Sequence, residues 1–236
     1  MSAPVSPALS AEASAMVQRT LASLREEFDV SQSEFSIAGR MVTIYHPRNA
    51  DDLISEKDYV KDERLPYWAD IWPSSRVLAE YVARMRADNR RVLELGCGSG
   101  LVSVAAAIAG FELTASDYYE DALRFTALNV LANTGKLIET READWRHFPH
   151  DMGRFDLVVA SDVLYEREYA TLVASVIDRT LTGRGTALIG DPGRLAAPEF
   201  VEQCKERGMP TAILDRIPFE DGAVKQIIDL YEVRRR

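Results

Sequence analysis

Apolar residues in the central part of the chain alternate between short continuous runs and longer stretches with helical spacing. The stretches predict helices at about residues 101–109, 120–133, 168–181 and 197–207. Such alternation is typical of a parallel sheet with helices on both faces. The short runs predict five strands, at residues 91–95, 112–116, 137–141, 155–160 and 186–190.

The beginning of the chain shows a different pattern. Apolar residues at helical spacing, among them Val17, Leu21 and Leu24, predict an amphipathic helix over residues 12–28. The stretch EFSIAGRMVTIYHP alternates on either side of Ala38-Gly39 and predicts a β-hairpin. We therefore expect an N-terminal helix and hairpin in residues 1–65, on the substrate side of a larger domain in residues 66–236.

The larger domain is expected to begin with a helix and to end without one. The segment LPYWADIWPSSRVLAEYVARM brings aromatic residues together before a helix that Ser74 or Ser75 could cap. The last two apolar segments, TAILDRI and VKQIIDLYEV, predict an antiparallel hairpin at one edge of the sheet. The fold class is therefore α/β, a Rossmann-like doubly wound sheet of seven strands with a C-terminal hairpin.

Composition and charge exclude several classes of protein. A net charge of −9 over 236 residues argues against a broad surface for nucleic acid or anionic membranes. No apolar run is long enough to cross a bilayer, and the first residues lack the order of a secretory signal, which favours a cytoplasmic protein. Cys97 and Cys204 form neither a disulfide framework nor a metal-ligand spacing, so no metal is expected.

The segment RVLELGCGSGL leads from the first predicted strand of the larger domain through a glycine loop into an apolar helix. Gly96, Gly98 and Gly100 would let a ligand approach the backbone at a helix N-terminus. A dinucleotide fingerprint would need another glycine at Leu101. Glu94 would repel a pyrophosphate but suits a ligand with an amino group and a sulfonium. The loop therefore favours S-adenosylmethionine over NAD.

Further polar residues follow the next strands, where ligands bind in a doubly wound sheet. Asp117, about 20 residues beyond the loop, can accept hydrogen bonds from both hydroxyls of a ribose, or it can cap the next helix. Asp144 can accept from an adenine amino group, or it can be an acid in a surface turn. Trp145 can cover an adenine face, or it can be a half-buried loop residue.

The motif ELGCGSG and the final hairpin resemble the class I S-adenosylmethionine-dependent methyltransferases over roughly residues 66–233. Within that superfamily, the chain is similar to the seven-β-strand protein methyltransferases called methyltransferase family 16, whose members mostly modify lysine. The similarity lies in Trp72, in Asp144-Trp145 and in the segment DVLY at 162–165. The segment GDPGR at 190–194 resembles the branch with the electron-transfer flavoprotein β-subunit lysine methyltransferases.

The resemblance implies that S-adenosylmethionine is the cofactor. Trp72 could also be a core aromatic beside Tyr67 and Trp68, and the two roles are compatible. The cofactor would be lined by Trp72, Gly96, Gly98, Asp117, Trp145 and Ser161, and the residues of the loop add Glu94 and Gly100.

Residues after the fourth and fifth strands would handle the methyl acceptor. Asp162 and Tyr165 would attract the ammonium of a protein lysine, hold the amine and share the developing charge. Asp191 and Arg194 would lie on the substrate side. The ordinary alternatives are a helix cap for Asp162, a β-turn for Asp191 and a solvated charge for Arg194.

Two other functions stay open beside a protein-lysine N-methyltransferase. A small-molecule N-methyltransferase would have the same fold. A non-catalytic nucleotide-binding module would use the loop only for ligand-dependent binding of a partner. Nucleic acid is disfavoured as a partner, because the chain is acidic and SDVLY replaces the Asn/Asp-Pro-Pro-aromatic segment of enzymes that methylate nucleobases.

Overall fold

The protein is described by a computed structural model over residues 9–53 and 66–235. The expected domain boundary between residues 65 and 66 lies at the edge of the described residues. Before it, helix α1 (Ala11–Glu27) precedes a hairpin of β1 (Val30–Ile37) and β2 (Arg40–Pro47). Ala38 and Gly39 make the turn with φ of 49° and 78°, as a two-residue hairpin requires. The predicted helix and hairpin are confirmed.

The larger unit contains a seven-stranded sheet. Its strands are β3 (Arg91–Leu95), β4 (Glu112–Asp117), β5 (Glu139–Glu142), β6 (Phe155–Ser161), β7 (Leu181–Asp191), β8 (Thr211–Asp221) and β9 (Val224–Arg234). The order is β5-β4-β3-β6-β7-β9-β8, with β3 to β7 parallel and β9 antiparallel to both of its neighbours. The order reverses between β3 and β6, so the carboxyl ends of these strands border the expected ligand crevice.

Helices cover both faces of this sheet. They are α2 (Pro73–Ala83), α3 (Leu101–Ala109), α4 (Glu120–Thr134), α5 (Arg167–Thr180) and α6 (Ala197–Glu206). Alternate residues of β6 separate the faces, since Leu157 packs with α2 and α3 whereas Val158 packs with α5 and α6. The α/β fold and its terminal hairpin are thus confirmed.

The N-terminal elements contribute to the packing of the larger unit. Leu21 and Leu24 of α1 are buried in one cluster with Phe125 and Leu128 of α4. The hairpin adds Ile44 and other residues to the cluster of α2 and α3. Helix α1 therefore packs against α4. The hairpin packs against α2 and α3, which lie on either side of the glycine loop in the sequence.

Several element boundaries differ from the prediction. Strand β7 begins at Leu181 rather than residue 186, because Leu181 already pairs with Phe155 before an irregularity in the register. Strand β5 begins at Glu139, which pairs with Thr114, whereas Leu137 is exposed. The predicted serine cap is wrong, because α2 begins at Pro73 and proline suits a position whose N–H would have no helical partner.

Gly100, directly before α3, lies against Thr126 of α4, and a substitution at Gly100 tests this contact. A Cβ atom at Gly100, where φ is 82°, would lie 2.8 Å from the Cα atom of Thr126. We expect Gly100→Ala to lower the free energy of unfolding by about 2–4 kcal/mol, from left-handed strain plus overpacking. Urea unfolding measures this loss.

The matched control is Gly208→Ala. Gly208 also has a left-handed backbone, with φ of 71°, but a Cβ atom there would meet no described atom within 4 Å. We expect this variant to lose about 1 kcal/mol, from backbone strain alone. Equal losses in the two variants would show that the contact between α3 and α4 is not the constraint.

Candidate active site

The turn from β3 into α3 is built from left-handed glycines. Gly96, Gly98 and Gly100 have φ of 66°, 53° and 82°. A Cβ atom on Gly98 would lie 3.0 Å from the carbonyl oxygen of Trp68, and one on Gly96 would lie 3.3 Å from a methyl of Val163. The loop therefore excludes larger residues at these positions and presents its backbone at the sheet edge.

Asp117 at the end of β4 holds this loop. Its Oδ2 accepts the N–H of Gly98 at 2.9 Å, and its Oδ1 accepts the N–H of Tyr119 at 3.0 Å. The side chain is buried, and burial raises the pKa of its carboxyl while the backbone N–H groups oppose that shift. Tyr119, not Asp117, occupies the N-cap position of α4. The carboxylate thus fixes the loop and keeps lone pairs for further donors.

Two residues of α4 that the sequence analysis missed complete the support of the loop. Thr126 donates its hydroxyl to the carbonyl of Gly98 at 2.9 Å. Asn129, fully buried, donates to the carbonyl oxygens of Ser99 and Tyr45, each at 2.8 Å. It therefore joins the glycine loop to the N-terminal hairpin. A buried polar residue within the apolar stretch ALNVLANT was the signal that could have identified it.

Glu94 is the most strongly perturbed acid of the site. It is 1% exposed at the end of β3 and accepts a hydrogen bond from the hydroxyl of Ser103 in α3. Burial raises the pKa of its carboxyl to about 8, which the Ser103 hydroxyl opposes and the nearby Asp117 carboxylate increases. Glu94 therefore binds a proton near neutral pH, and a bound cation would favour release of that proton.

The strand ends enclose a cavity of about 180 Å³. Eleven of the predicted site residues line it: Trp72, Glu94, Gly96, Gly98, Gly100, Asp117, Asp144, Trp145, Ser161, Asp162 and Tyr165. Asp191 and Arg194 are not among its lining residues. The structure thus brings most of the predicted residues, from five separate segments of the chain, to one place.

Aromatic side chains form one wall of the cavity, and the sequence analysis identified only part of it. Tyr67 makes edge-to-face contacts with Trp72 at 6.0 Å and with Tyr165 at 5.4 Å, measured between ring centroids. Tyr169 contacts Tyr165 at 4.9 Å and Trp145 at 5.3 Å. This continuous aromatic wall offers apolar surface and ring faces to a cationic ligand.

Trp72 and Trp68 have different surroundings. Trp68 is buried in the core, whereas Trp72 is half-buried at the cavity and donates its indole N–H to the carbonyl of Tyr67 at 3.0 Å. The alternative role of a core aromatic therefore belongs to Trp68.

Asp144 and Trp145 follow strand β5, and Trp145 lies beside Gly96 of the glycine loop. Asp144 accepts the N–H of Arg146 at 3.0 Å and caps the short 3-10 turn that begins at Trp145. Trp145 is partly buried against the core and reaches within 3.5 Å of a Cβ position at Gly96. Both side chains line the cavity, so the turn alternative and a ligand-binding role for Asp144 are compatible.

Asp162 at the end of β6 has an unusual backbone and a crowded carboxylate. Its φ is 57°, in the left-handed region that non-glycine residues seldom adopt. Its N–H donates to the carbonyl of Gly190 in β7 at 2.9 Å. Its Oδ2 accepts the hydroxyl of Ser74 at 3.2 Å, and its Oδ1 accepts Nε and Nη2 of Arg194 at 2.8 and 2.7 Å. Asp162 therefore does not serve as a helix cap, since Glu166 precedes α5.

The loop after β7 explains why Asp191 and Arg194 do not line the cavity. Asp191 accepts the N–H groups of Gly193 and Arg194 at 2.8 and 2.7 Å, so the predicted turn is present. Arg194 is an ion-pair partner of Asp162 and not a solvated charge.

Within residues 9–53 and 66–235, no group of three or more His, Cys, Asp or Glu side chains could hold a metal ion. In the same part of the chain, no helix combines the length and apolar character that a membrane span needs.

Residues 60–206 match the model of a family described as lysine methyltransferase. The chain is 33% identical over 133 residues to an electron transfer flavoprotein beta subunit lysine methyltransferase from Xenopus laevis, covering 55% of this chain and 53% of that protein. It is 28% identical over 156 residues to protein N-lysine methyltransferase METTL21A from Danio rerio, covering 61% of this chain and 70% of the relative. The match thus spans about half the length of the first relative.

A solved structure supports the fold. The N-methyltransferase NodS from Bradyrhizobium japonicum WM9, in complex with S-adenosyl-L-homocysteine, superposes with a TM-score of 0.57 at 19% identity. The superposition covers 79% of this chain and 97% of that chain.

The raised pKa of Glu94 predicts a pH-dependent stability. The folded protein keeps a proton on Glu94 up to pH of about 8, whereas the unfolded chain releases it near pH 4.5. This group therefore stabilises the fold fully below pH of about 4.5 and loses that contribution as the pH rises through about 8. We expect wild type to lose stability relative to Glu94→Gln across this range, by a few kcal/mol at most.

Urea unfolding of both proteins at several pH values between about 5 and 9 measures the difference. Glu112→Gln, at an exposed acid that begins the neighbouring strand β4, is the control and should follow wild type. A constant difference between wild type and Glu94→Gln over the whole range would contradict the prediction.

Proposed function

Because the chain belongs to the lysine methyltransferase family, we propose that it transfers a methyl group from S-adenosylmethionine to the side-chain nitrogen of a lysine in a protein. The observation that carries this proposal is the convergence of the glycine loop, Asp117 and Asp162 on one cavity. The frog and fish relatives, which are named as lysine methyltransferases that act on proteins, support a protein lysine as the acceptor. The structural likeness to NodS supports the fold that such a reaction uses.

The residues around the glycine loop fit the cofactor. The left-handed loop of Gly96, Gly98 and Gly100 lines the cavity with backbone, which a ligand can approach closely. Asp117 retains lone pairs that can accept ribose hydroxyls, and Asp144 retains lone pairs for an adenine amino group. S-adenosylmethionine supplies a methyl group on a positively charged sulfur, and Glu94 is the buried acid placed to offset positive charge at the strand end. Trp72, Trp145 and Ser161 complete the proposed lining.

The other side of the cavity suits an amine. Asp162 and the ring of Tyr165 would attract the lysine ammonium and hold the amine after it loses a proton. The lone pair of the neutral amine would then take the methyl group that the cofactor supplies, and the positive charge that leaves sulfur would move to the methylated nitrogen. Catalysis comes largely from alignment and from excluding water, which the aromatic wall favours.

Exposed aromatic surface at the cavity supports a macromolecular acceptor. Tyr67 and Tyr165 are 40% and 39% exposed although their rings contact each other. A protein segment around the target lysine would cover these rings and bury apolar area.

Labelled S-adenosylmethionine incubated with the protein and a cell lysate tests the proposed reaction. We expect label in a protein band, and hydrolysis of that band should yield methylated lysine. Label in a small molecule alone would favour the small-molecule N-methyltransferase, and no label with intact cofactor binding would favour a non-catalytic module.

Asp117→Ala tests the cofactor side of the cavity. We expect the cofactor dissociation constant to rise about ten- to a hundredfold, which corresponds to about 1.5–3 kcal/mol for lost hydrogen bonds to a charged group. Calorimetry with S-adenosylhomocysteine measures the change. Glu112→Ala, at the opposite end of the same strand, is the control and should bind normally. Normal binding with a lower melting temperature in Asp117→Ala would leave only a structural role for Asp117.

Asp162→Asn tests the acceptor side. The amide preserves shape but removes the charge that attracts and deprotonates an amine, so we expect the single-turnover rate to fall at least about a hundredfold. The cofactor affinity should stay close to that of wild type. Asp156→Asn, at the start of the same strand β6, is the matched control. A wild-type rate in Asp162→Asn would remove this residue from the mechanism.

A further inference from the structure

The acids of the cavity have no basic neighbour within its wall. Among the described residues, the lining contains six Asp and Glu side chains, of which Glu94 keeps its proton near neutral pH, and no Lys, Arg or His side chain. The six are Asp70, Glu94, Asp117, Asp144, Asp162 and Glu166. Negative charge on such a wall attracts an ammonium but also raises the pKa of that ammonium, which opposes the proton loss that an amine nucleophile needs.

In the part of the chain that the structure describes, Arg194 is a cation that contacts two residues of this wall, Asp162 and Trp72. Nε and Nη2 of its guanidinium both donate to Oδ1 of Asp162, at 2.8 and 2.7 Å. The guanidinium carbon lies 5.7 Å from the ring centroid of Trp72. The carboxylate of Asp162 is 4% exposed, whereas the side chain of Arg194 is 36% exposed. An ion pair that is buried at one partner is screened less than a surface pair.

The loop after β7 is folded to present this guanidinium. Oδ1 of Asp191 accepts the backbone N–H groups of Gly193 and Arg194, and Gly193 is left-handed with φ of 89°. Asp191 is fully buried, and its Oδ2 has no hydrogen-bond partner among the described residues. The carboxylate of Asp162 is held between this guanidinium and the hydroxyl of Ser74, while its left-handed backbone donates its N–H to the carbonyl of Gly190. Arg194 is thus tied to the candidate catalytic carboxylate and not to the ligand.

We propose that Arg194 is a positioning residue, which orients the Asp162 carboxylate and offsets part of its charge so that the bound lysine loses its proton near neutral pH. This inference rests on the proposed lysine methyl transfer. Among the described residues, the other charged or titratable groups that line the cavity or lie behind Arg194 are Asp70, Glu94, Asp117, Asp144, Glu166, Asp191, Cys97, Tyr67, Tyr118, Tyr119, Tyr165 and Tyr169. The acids all favour the ammonium form, so Arg194 is the group that opposes them.

The test compares pH profiles of methyl transfer at saturating cofactor for wild type and Arg194→Met. We expect the acidic limb of the profile to move to higher pH by about one unit, because the loss of a nearby cation favours the protonated forms. At neutral pH the rate should fall about tenfold or more, while the cofactor dissociation constant stays unchanged. Arg194→Lys keeps the positive charge, so the acidic limb of its pH profile should stay near that of wild type. Its rate should still fall, because the contact of two nitrogen atoms with Asp162 is lost.

Arg184→Met is the matched control, since Arg184 is exposed near the start of the same strand β7. Its profile should coincide with that of wild type. An acidic limb that does not move in Arg194→Met overturns the proposal, whether or not the rate falls, because a purely structural defect lowers the rate equally at every pH. If Arg194→Met does not fold, Arg194→Gln is measured in its place.

Failure of the proposed function is recognised separately, as wild-type protein that labels no protein at all. In that case crystal structures of wild type and Arg194→Met decide the positioning role. We expect the Asp162 carboxylate to leave Ser74 and its φ to leave the left-handed region when the guanidinium is absent. An unchanged Asp162 would overturn the inference.

Discussion

The site depends on one constraint, the passage of the chain from β3 into α3 between two closely packed neighbours. Thr126 of α4 stands where a side chain at Gly100 would be, and the carbonyl of Trp68 stands where one at Gly98 would be. Left-handed glycines are what allow the loop to fit. Backbone N–H and C=O groups of the loop form hydrogen bonds with Asp117, Thr126 and Asn129. The loop that we propose holds the cofactor, the start of α3 and the anchoring of the N-terminal hairpin thus share one set of hydrogen bonds.

Two buried acidic side chains at the ends of neighbouring strands, Glu94 and Asp162, have different hydrogen-bond partners. Glu94 has a hydroxyl as its hydrogen-bond partner, and burial raises its pKa to about 8. Asp162 has the guanidinium of Arg194 as its partner. The same sheet edge therefore carries Glu94, which would release its proton beside a cationic ligand, and Asp162, whose carboxylate is held by an ion pair. The difference arises from the partner that each side chain meets across the fold, and not from its residue type.

Much of the fold and of the candidate site could be predicted from the sequence, because both depend on local patterns. The alternation of apolar runs predicted the confirmed sheet, and the motif ELGCGSG with DVLY indicated the confirmed family. Residues at strand ends were predictable because parallel strands bring their carboxyl ends together. The serine cap of α2 was predicted wrongly, since Ser74 is used by Asp162, which lies far away in the sequence.

By itself, the sequence determined the order of the elements, the left-handed positions of the loop and the acids that follow each strand, since these depend on residue type and short spacing. Only the tertiary structure decided how those acids are paired. Asn129 meets the hairpin, and Arg194 meets Asp162, across separations of 84 and 32 residues that no local pattern encodes. Hydrogen bonds of this kind form only after helices and strands have packed, because packing sets the distance between groups that the chain itself leaves far apart.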